Sequence, residues 1–241
     1  MSEQSKALWQ YTEDLGGAIK YNPLFEEPAI KSPEGLYNGR SIIARDTPIN
    51  GGIYLHIPKD EGIIVDDIIY PKELNNAYQE AEKWFYKNPV SRFLRQQRGS
   101  SVFELIYKVT HHQFGGDKPL IDINFEVEQI IDETLAAKKT KSIFEYNEIP
   151  LNLFMQRKAG VCRHQALLSA YIIERLINEE RMAGKVSIDR NFIPQKGGHA
   201  WVRYEDPTKE IIIIDPAQHF VGNIKNAPKD GWNYKRPEDN F

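Results

Sequence analysis

The sequence contains a single cysteine, Cys162, among its 241 residues. One cysteine cannot form an internal disulfide, and it excludes a structural zinc site built on several cysteine ligands. We therefore expect a reducing compartment, which indicates the cytoplasm.

The sequence also lacks any apolar run approaching the roughly 18 residues of a membrane-spanning helix. Its first residues are polar and include several acids, so they do not form the basic and apolar pattern of a secretory signal. We expect no membrane partner.

Neither sign of charge dominates, because 31 Lys and Arg residues oppose 34 Asp and Glu residues, for a formal net charge of −3. That balance is not the basic footprint of a nucleic-acid-binding protein, so no nucleic-acid partner is expected. The fingerprints of nucleotide loops, zinc proteases, α/β-hydrolases and EF-hands are absent as well, and no cofactor is expected. What the chain does have is 11 Phe, 12 Tyr and 4 Trp, which supply bulk for a core.

Residues 1–145 divide into a part rich in Gly and Pro, with short apolar bursts, and a part with helical spacing of apolar residues. Strands are predicted at Ser41–Ala44, Gly52–Ile57 and Ile63–Val65. Helices are predicted at Pro71–Asn88, Ser101–Gln113 and Asn124–Lys139, the last of them capped by Asn124 and basic at its end.

The pattern changes from about residue 146. Ala166–Ile177 is apolar on nearly every face, which predicts a buried helix. Three strands are predicted after it, at Lys185–Arg190, Gly198–Glu205 and Glu210–Asp215. The isoleucine run in the last of them is apolar on both faces, which is typical of a strand covered on both sides. Helices followed by strands that pair antiparallel indicate an α+β fold.

We therefore expect three parts along the chain. Residues 1–145 form a strand and helical extension packed on the core, residues 146–221 form the core, and residues 222–241 form a polar tail. Two aromatic residues of the tail, Trp232 and Tyr234, could anchor it or leave it loose.

Cys162 lies two residues after Gly160 of the flexible pair Ala159–Gly160, at the predicted first turn of the buried helix. There the helix dipole and unpaired backbone N–H groups favour a thiolate over a thiol, so the pKa of Cys162 should fall below about 8.5. The same N–H groups point to where a tetrahedral oxyanion would form. A lone cysteine is more often an inert core residue, so this signal alone is weak.

Two other motifs favour a catalytic role for Cys162 over that of an inert core residue. His199 begins a predicted strand after Gly197–Gly198, and Asp215 ends the next strand. Nucleophilic catalysis by a thiol needs these three types together, because the thiolate attacks, the imidazole moves the proton and the carboxylate orients the imidazole.

The blocks GVCRHQA, GGHAWVRYE and IIIIDP resemble the transglutaminase-like core of the papain-like cysteine enzymes. The resemblance covers roughly residues 147–220 and implies a nucleophile at the N-terminus of a buried helix packed on an antiparallel sheet. It also implies that Cys162 is the nucleophile, His199 the general base and acid, and Asp215 its orienting partner. Residues 1–145 match no pattern of that family, and we expect them to hold what determines the substrate.

The triad makes a geometric prediction about the hairpin after Glu205. His199, Trp201 and Arg203 share one face of their strand. If Glu205 pairs with Lys209, Asp215 lies opposite His199, whereas a loop of even length turns Asp215 to the other face. A loop with an odd number of residues is therefore predicted.

Other residues near the motifs have less specific signals. Gln156 is an oxyanion candidate, because papain-like enzymes carry a glutamine shortly before the nucleophile; a surface or capping role is the alternative. His164 is expected to be structural or to support the site, and Trp201 to pack over the His199–Asp215 contact. The pair His111–His112 is not expected to bind a metal, because adjacent helical histidines diverge and no carboxylate pair completes a site.

The leading hypothesis is thiol-dependent acyl transfer on a protein or peptide amide through a thioester. Peptide hydrolysis, glutamine deamidation and glutamine–lysine transamidation share that chemistry, and we favour a protease or amidase. The alternative is a non-catalytic interaction module that retains the fold. A third hypothesis, a bacterial effector delivered into a host cell, has only the unfamiliar N-terminal half in its favour. The oligomeric state is not predicted.

Overall fold

The structure is a computed structural model that describes residues 36–56, 61–87, 99–137, 147–193, 197–228, 231–236 and 238–239. Within these residues it is a mixed α and β protein with five α-helices and nine β-strands. The strands are β1 (Leu36–Tyr37), β2 (Arg40–Ser41), β3 (Gly52–His56), β4 (Glu61–Val65), β5 (Asn147–Pro150), β6 (Lys185–Ile193), β7 (Gly197–Glu205), β8 (Ile211–Asp215) and β9 (Phe220–Asn223). The helices are α1 (Pro71–Lys87), α2 (Gly99–Gln113), α3 (Leu120–Ala137), α4 (Leu151–Gln156) and α5 (Cys162–Asn178), and two 3₁₀ turns cover Pro216–Gln218 and Ile224–Asn226.

The predicted helices are present, with one correction. The third helix, α3, begins at Leu120 and not at Asn124, which is an exposed residue inside it. The carbonyl of Pro119 accepts hydrogen bonds from the N–H groups of Asp122 and Ile123 and so starts the helix a turn earlier. The basic residues predicted for its last turn, 138 and 139, lie outside the described residues, as does residue 88 after α1.

The predicted strand Ser41–Ala44 is wrong in its bounds. Strands β1 and β2 form a two-stranded hairpin, with Leu36 opposite Ser41. Ile42 makes only an isolated parallel bridge to Ile53. Strand β3 is present where it was predicted, except that Ile57 lies outside the described residues.

A three-stranded sheet contains β3, β4 and β5 in that order. Strand β4 pairs antiparallel with β3 and parallel with β5, so the sheet is mixed. Strand β5 was not predicted, because its four residues end in Pro150 and its partner lies far away in the chain.

The second sheet is antiparallel and has the order β6-β7-β8-β9. Its first three strands agree with the predicted ones, and β9 was missed. Strand β8 lies between β7 and β9, and Ile211, Ile213 and Ile214 are buried. The prediction of a strand covered on both sides is therefore confirmed.

The β7–β8 hairpin has a loop of odd length, as predicted, but the predicted register is wrong. Glu205 pairs with Ile211 and not with Lys209, so the loop comprises residues 206–210. The Asp206 carboxylate closes this longer loop by accepting bonds from the backbone N–H groups of Thr208 and Glu210. Because the loop length remains odd, Asp215 stays on the face of the sheet that carries His199.

The four-stranded sheet separates two apolar clusters. On one face, Ala200, Val202 and Ile214 join the main core cluster, which includes most of the apolar side chains of α5. On the other face, Trp201 and Ile213 pack with Tyr234 of the C-terminal segment. The alternation along β7 thus places His199 and Trp201 on the sheet face that the C-terminal segment covers.

The main core cluster has members on both sides of the predicted boundary at residue 145. Ile43, Tyr78 and Ile106 belong to it together with Leu168 and Tyr171 of α5. The three-part division stays a prediction, and the described part of residues 1–145 shares this core with α5. Within the described residues, no helix is long and apolar enough to cross a membrane.

Gly160 brings the start of α5 into contact with Phe114. A Cβ at position 160 would lie 2.3 Å from Cδ1 of Phe114 and 2.9 Å from Cβ of His164. No side chain larger than hydrogen fits there without displacing a fully buried ring.

We expect Gly160→Ala to lower the free energy of unfolding by about 1–3 kcal/mol, because an added methyl group overpacks this contact. The matched control is Gly198→Ala, whose Cβ would meet nothing within 4 Å. Urea unfolding monitored by circular dichroism measures both. Equal stabilities of the two variants would contradict the prediction.

Candidate active site

Cys162 is the first residue of α5, as predicted, and the residue is partly buried. Val161, which precedes it, has an extended backbone and no side-chain cap. The first N–H groups of a helix have no partner within the helix, so they surround the thiol with positive partial charge. This position favours a thiolate.

His199 and Asp215 form a direct contact on the sheet. Nε2 of His199 lies 2.6 Å from Oδ2 of Asp215, and both side chains are buried. The second oxygen of Asp215, Oδ1, accepts a bond of 3.2 Å from the backbone N–H of Gln218. The carboxylate is therefore fixed on both sides, and its contact with Nε2 leaves Nδ1 of the imidazole for another partner.

The thiol of Cys162 lies close enough to the His199 side chain and the backbone of Ala200 for both to act on its pKa. The surrounding protein disfavours the charged thiolate. The His199 side chain, the nearby charges of His199 and Arg163, and the Ala200 backbone outweigh that effect and lower the pKa of Cys162 below its ordinary value. The structure thus brings Cys162, His199 and Asp215 together, with a direct bond between His199 and Asp215 and mutual pKa shifts between Cys162 and His199.

The basicity of His199 follows from the same contacts. Burial disfavours the imidazolium, but the hydrogen bond to Asp215, the nearby Cys162 thiol and the charges of both raise the pKa of His199 to about 9. A lowered thiol pKa beside a raised imidazole pKa is the electrostatic pattern of a thiolate–imidazolium pair. Proton transfer from Cys162 to His199 is therefore favoured in the resting site.

Two tryptophan rings lie beside the imidazole. The ring of Trp201, the predicted cover, is stacked with His199 at a centroid distance of 6.0 Å. The ring of Trp232 is closer, at 4.5 Å and an interplanar angle of 20°. Trp232 belongs to the tail, so this segment docks at the site in the structure.

His164, expected to be structural or to support the site, lies in a buried cluster with Glu61 and Arg163. Its Nδ1 accepts a bond of 3.2 Å from the N–H of Val161, and its Nε2 lies 3.1 Å from Oε1 of Glu61. Arg163 donates to the other oxygen of Glu61 through Nε, at 2.8 Å, and through a second guanidinium nitrogen. The cluster ties the residues on both sides of Cys162 to β4.

The charges of this cluster are well defined. Burial raises the pKa of Glu61, but Arg163 and His164 outweigh it and hold that pKa far below its ordinary value. Burial, reinforced by Arg163, lowers the pKa of His164 to about 4. A neutral His164 whose Nδ1 accepts from Val161 carries its proton on Nε2, so it donates to the Glu61 carboxylate.

Gln156 does not take the predicted oxyanion position. Its side chain is exposed, and its amide nitrogen donates to Oε1 of Glu73 on α1 at 2.9 Å. The alternative surface role therefore fits the structure. The donor that the fold does provide next to the thiol is the backbone N–H of Cys162 itself, at the start of α5.

No group of three metal-binding side chains occurs within the described residues. His112 is exposed, while His111 stacks on Tyr107 at 5.6 Å and lies 3.6 Å from an Asp117 oxygen. These two histidines diverge, as expected of neighbours on a helix.

Sequence reasoning missed Glu61 as a neighbour of the site and named Trp232 and Tyr234 only as possible anchors of the tail. Tyr234 donates its hydroxyl proton to Oδ2 of Asp215 at 2.8 Å. For Glu61 the sequence has no signal, because its partners lie about a hundred residues later in the chain. For the tail, the two aromatic residues in a polar stretch were the available signal.

Comparison of the chain with protein-family models, with curated proteins and with solved structures finds no match. The resemblance to the transglutaminase-like core therefore stays a prediction. What the site can do is inferred from its own side chains and their geometry.

We expect His164→Gln to flatten the rise of unfolding free energy between pH 4 and 6.5. His164 has a folded pKa of about 4, so the unfolded chain binds more protons in that window and stability grows with pH. The variant loses close to one proton of that uptake, and His112→Gln, at an exposed histidine, is the matched control. Urea titrations at several pH values measure the slopes, and an unchanged slope in His164→Gln would contradict the assignment.

Proposed function

We propose that this protein is a thiol-dependent hydrolase of protein or peptide amides that works through a thioester on Cys162. The observation that carries the proposal is the convergence of three side chains: His199 lies 2.6 Å from Asp215, and His199 lowers the pKa of the nearby Cys162 thiol. Each member has the chemistry that its position requires: a polarised thiol, an imidazole that bridges it to a carboxylate, and a buried carboxylate.

The reaction has two balanced halves. The Cys162 sulfur attacks the amide carbonyl carbon, and the tetrahedral oxyanion forms beside the N–H groups at the start of α5. The C–N bond breaks as the His199 imidazolium gives its proton to the nitrogen, so ammonia or an amine leaves and the acyl group remains on sulfur. Water then loses a proton to His199 and attacks the thioester, and the C–S bond breaks to release a carboxylic acid and restore the imidazolium–thiolate pair.

Water is the acceptor that fits this site better than a second amine. Cys162 as a whole residue is partly exposed, so water can approach the start of α5. Transamidation requires that the thioester be shielded from water until an amine arrives. Partial exposure therefore favours hydrolysis, either of a peptide bond or of a glutamine carboxamide.

We also propose that the fold around the site is a papain-like core of the transglutaminase type. The support is the placement of the three residues: the nucleophile begins a buried helix, the base lies on β7, and the orienting acid ends β8. Their order along the chain, Cys, His and then Asp, is the order that the resemblance implies.

The direct test is an activity screen with the full chain on unfolded proteins and glutamine peptides. Mass spectrometry identifies new peptide termini or deamidated glutamine, and an added fluorescent amine reports transamidation. We expect hydrolysis, with Cys162→Ser and Asp215→Asn each lowering the rate by roughly 10³-fold or more. The exposed-site variant His112→Gln should keep the wild-type rate.

The outcomes separate the alternatives. Incorporation of the amine in place of hydrolysis would assign the site to transamidation. Trapping of Cys162 by a glutamine-like electrophile in wild type but not in His199→Ala would support thioester chemistry before the substrate is identified. Absence of both turnover and trapping would favour a non-catalytic interaction module.

A further inference from the structure

The described residues 231–236 and 238–239, here called the strap, lie on the sheet face that carries His199 and Asp215. Ser187, Asp189 and Asn191 of β6 alternate with core residues and share that face. Asn191 is paired with His199 in the sheet. All three are hydrogen-bonded to the strap. Ser187 and Asp189 accept bonds from Arg236, and Asn191 donates to the Asn233 carbonyl.

Two buried ion pairs hold the strap in place. Arg236 donates from Nε to Oδ2 of the fully buried Asp189 at 2.7 Å. Arg203 of β7 makes two bonds to Asp239, of 2.8 and 2.6 Å, in the parallel geometry that gives guanidinium–carboxylate pairs their specificity. Because buried ion pairs are costly to break, these anchors, together with the bond from Asn191 to Asn233, fix where the preceding aromatic residues lie.

Those aromatic residues contact the candidate triad. The hydroxyl of Tyr234 donates to Oδ2 of Asp215 at 2.8 Å, and Nε2 of His199 lies 2.6 Å from the same oxygen. The Tyr234 ring packs against Trp201 at 5.2 Å, and Trp232 stacks on the imidazole. The strap therefore supplies a second hydrogen-bond donor to the oxygen that orients His199.

We propose that Tyr234 is a positioning residue of this site, which holds Asp215 in place and draws negative charge from the oxygen that His199 contacts. The inference rests on the proposed function, because it assigns to Tyr234 a part in the proton transfers of His199. It makes the C-terminal strap a component of the active site and not only a covering segment.

The chemical reason is the balance that a general acid needs. His199 must hold a proton beside the thiolate and then give it to the leaving nitrogen, and it does so best when its pKa is close to the working pH. Cys162 and Asp215 both raise that pKa, while Arg163 acts on the thiol. A donor on Asp215 weakens the pull of the carboxylate on the imidazolium proton and so moderates the basicity of His199.

Tyr234 is suited to this role because it keeps its own proton. Burial and the neighbouring Asp215 charge raise the pKa of Tyr234 above its ordinary value. Its hydroxyl therefore remains a donor over the whole pH range in which His199 titrates. A phenylalanine at this position would keep the ring contacts with Trp201 and Phe220 and lose only the donor.

The test is a proton NMR titration of His199 in the full chain, with its signal among the six histidines assigned from His199→Ala. We expect Tyr234→Phe to lower the acid dissociation constant of the His199 imidazolium about threefold. Without the tyrosine hydroxyl as a donor, the Asp215 carboxylate stabilises the imidazolium more strongly. The matched control is Tyr204→Phe. Tyr204 is a buried tyrosine on β7, the strand that carries His199, but its side chain lies on the opposite face of the sheet. Its hydroxyl donates to the Ala183 carbonyl.

A second substitution keeps the test valid if Tyr234→Phe does not fold. Incorporation of 3-fluorotyrosine at position 234 preserves the shape and makes the hydroxyl a stronger donor, so the dissociation constant of His199 should rise. If the wild-type pKa of His199 is raised but neither Tyr234→Phe nor 3-fluorotyrosine moves it, the role of Tyr234 is overturned and the proposed function is not. Shifts in the reverse directions have the same consequence. An ordinary wild-type pKa contradicts the proposed function as well and overturns both.

Discussion

The carboxylate of Asp215 is the group on which the candidate site depends. It is fully buried, and a buried carboxylate is tolerated only when its oxygens are paired and hydrogen-bonded. Its partners come from three places: His199 on the neighbouring strand, Gln218 in the turn that follows, and Tyr234 in the strap. Satisfying this one charge therefore orders the imidazole, the end of β8 and the C-terminal segment together.

A second buried carboxylate does the same for the nucleophile. Glu61 begins β4 in the other sheet and binds Arg163 and His164, the two residues next to Cys162 in the helix direction. The two carboxylates hold the two reacting side chains from separate parts of the fold. The thiol and the imidazole thus meet because two buried charges, far apart in the chain, are each neutralised by the residues beside them.

Much of the site could be predicted because its signals are local. Each of the three site residues has a signal in the residues just before it. These signals are Gly197–Gly198 before His199, the isoleucine run before Asp215 and Gly160 before Cys162. The register of the β7–β8 hairpin could not be predicted, because the Asp206 side chain closes a longer loop than the sequence suggests. Glu61 and β5 were missed because their roles depend on partners far away in the chain. The start of α3 was placed wrongly because Asn124, a residue type typical of helix caps, lies inside a helix that begins with bonds to the Pro119 carbonyl.

The central claim is that Cys162 and His199 form an ion pair, and the rate of alkylation by iodoacetamide from pH 4 to 10 tests it most directly. Because Cys162 is the only cysteine, all labelling reports on it. We predict a wild-type midpoint well below about 8.5, the value of a free thiol, and an upward shift of that midpoint in His199→Ala. A midpoint near the free value that His199→Ala leaves unchanged would contradict the account.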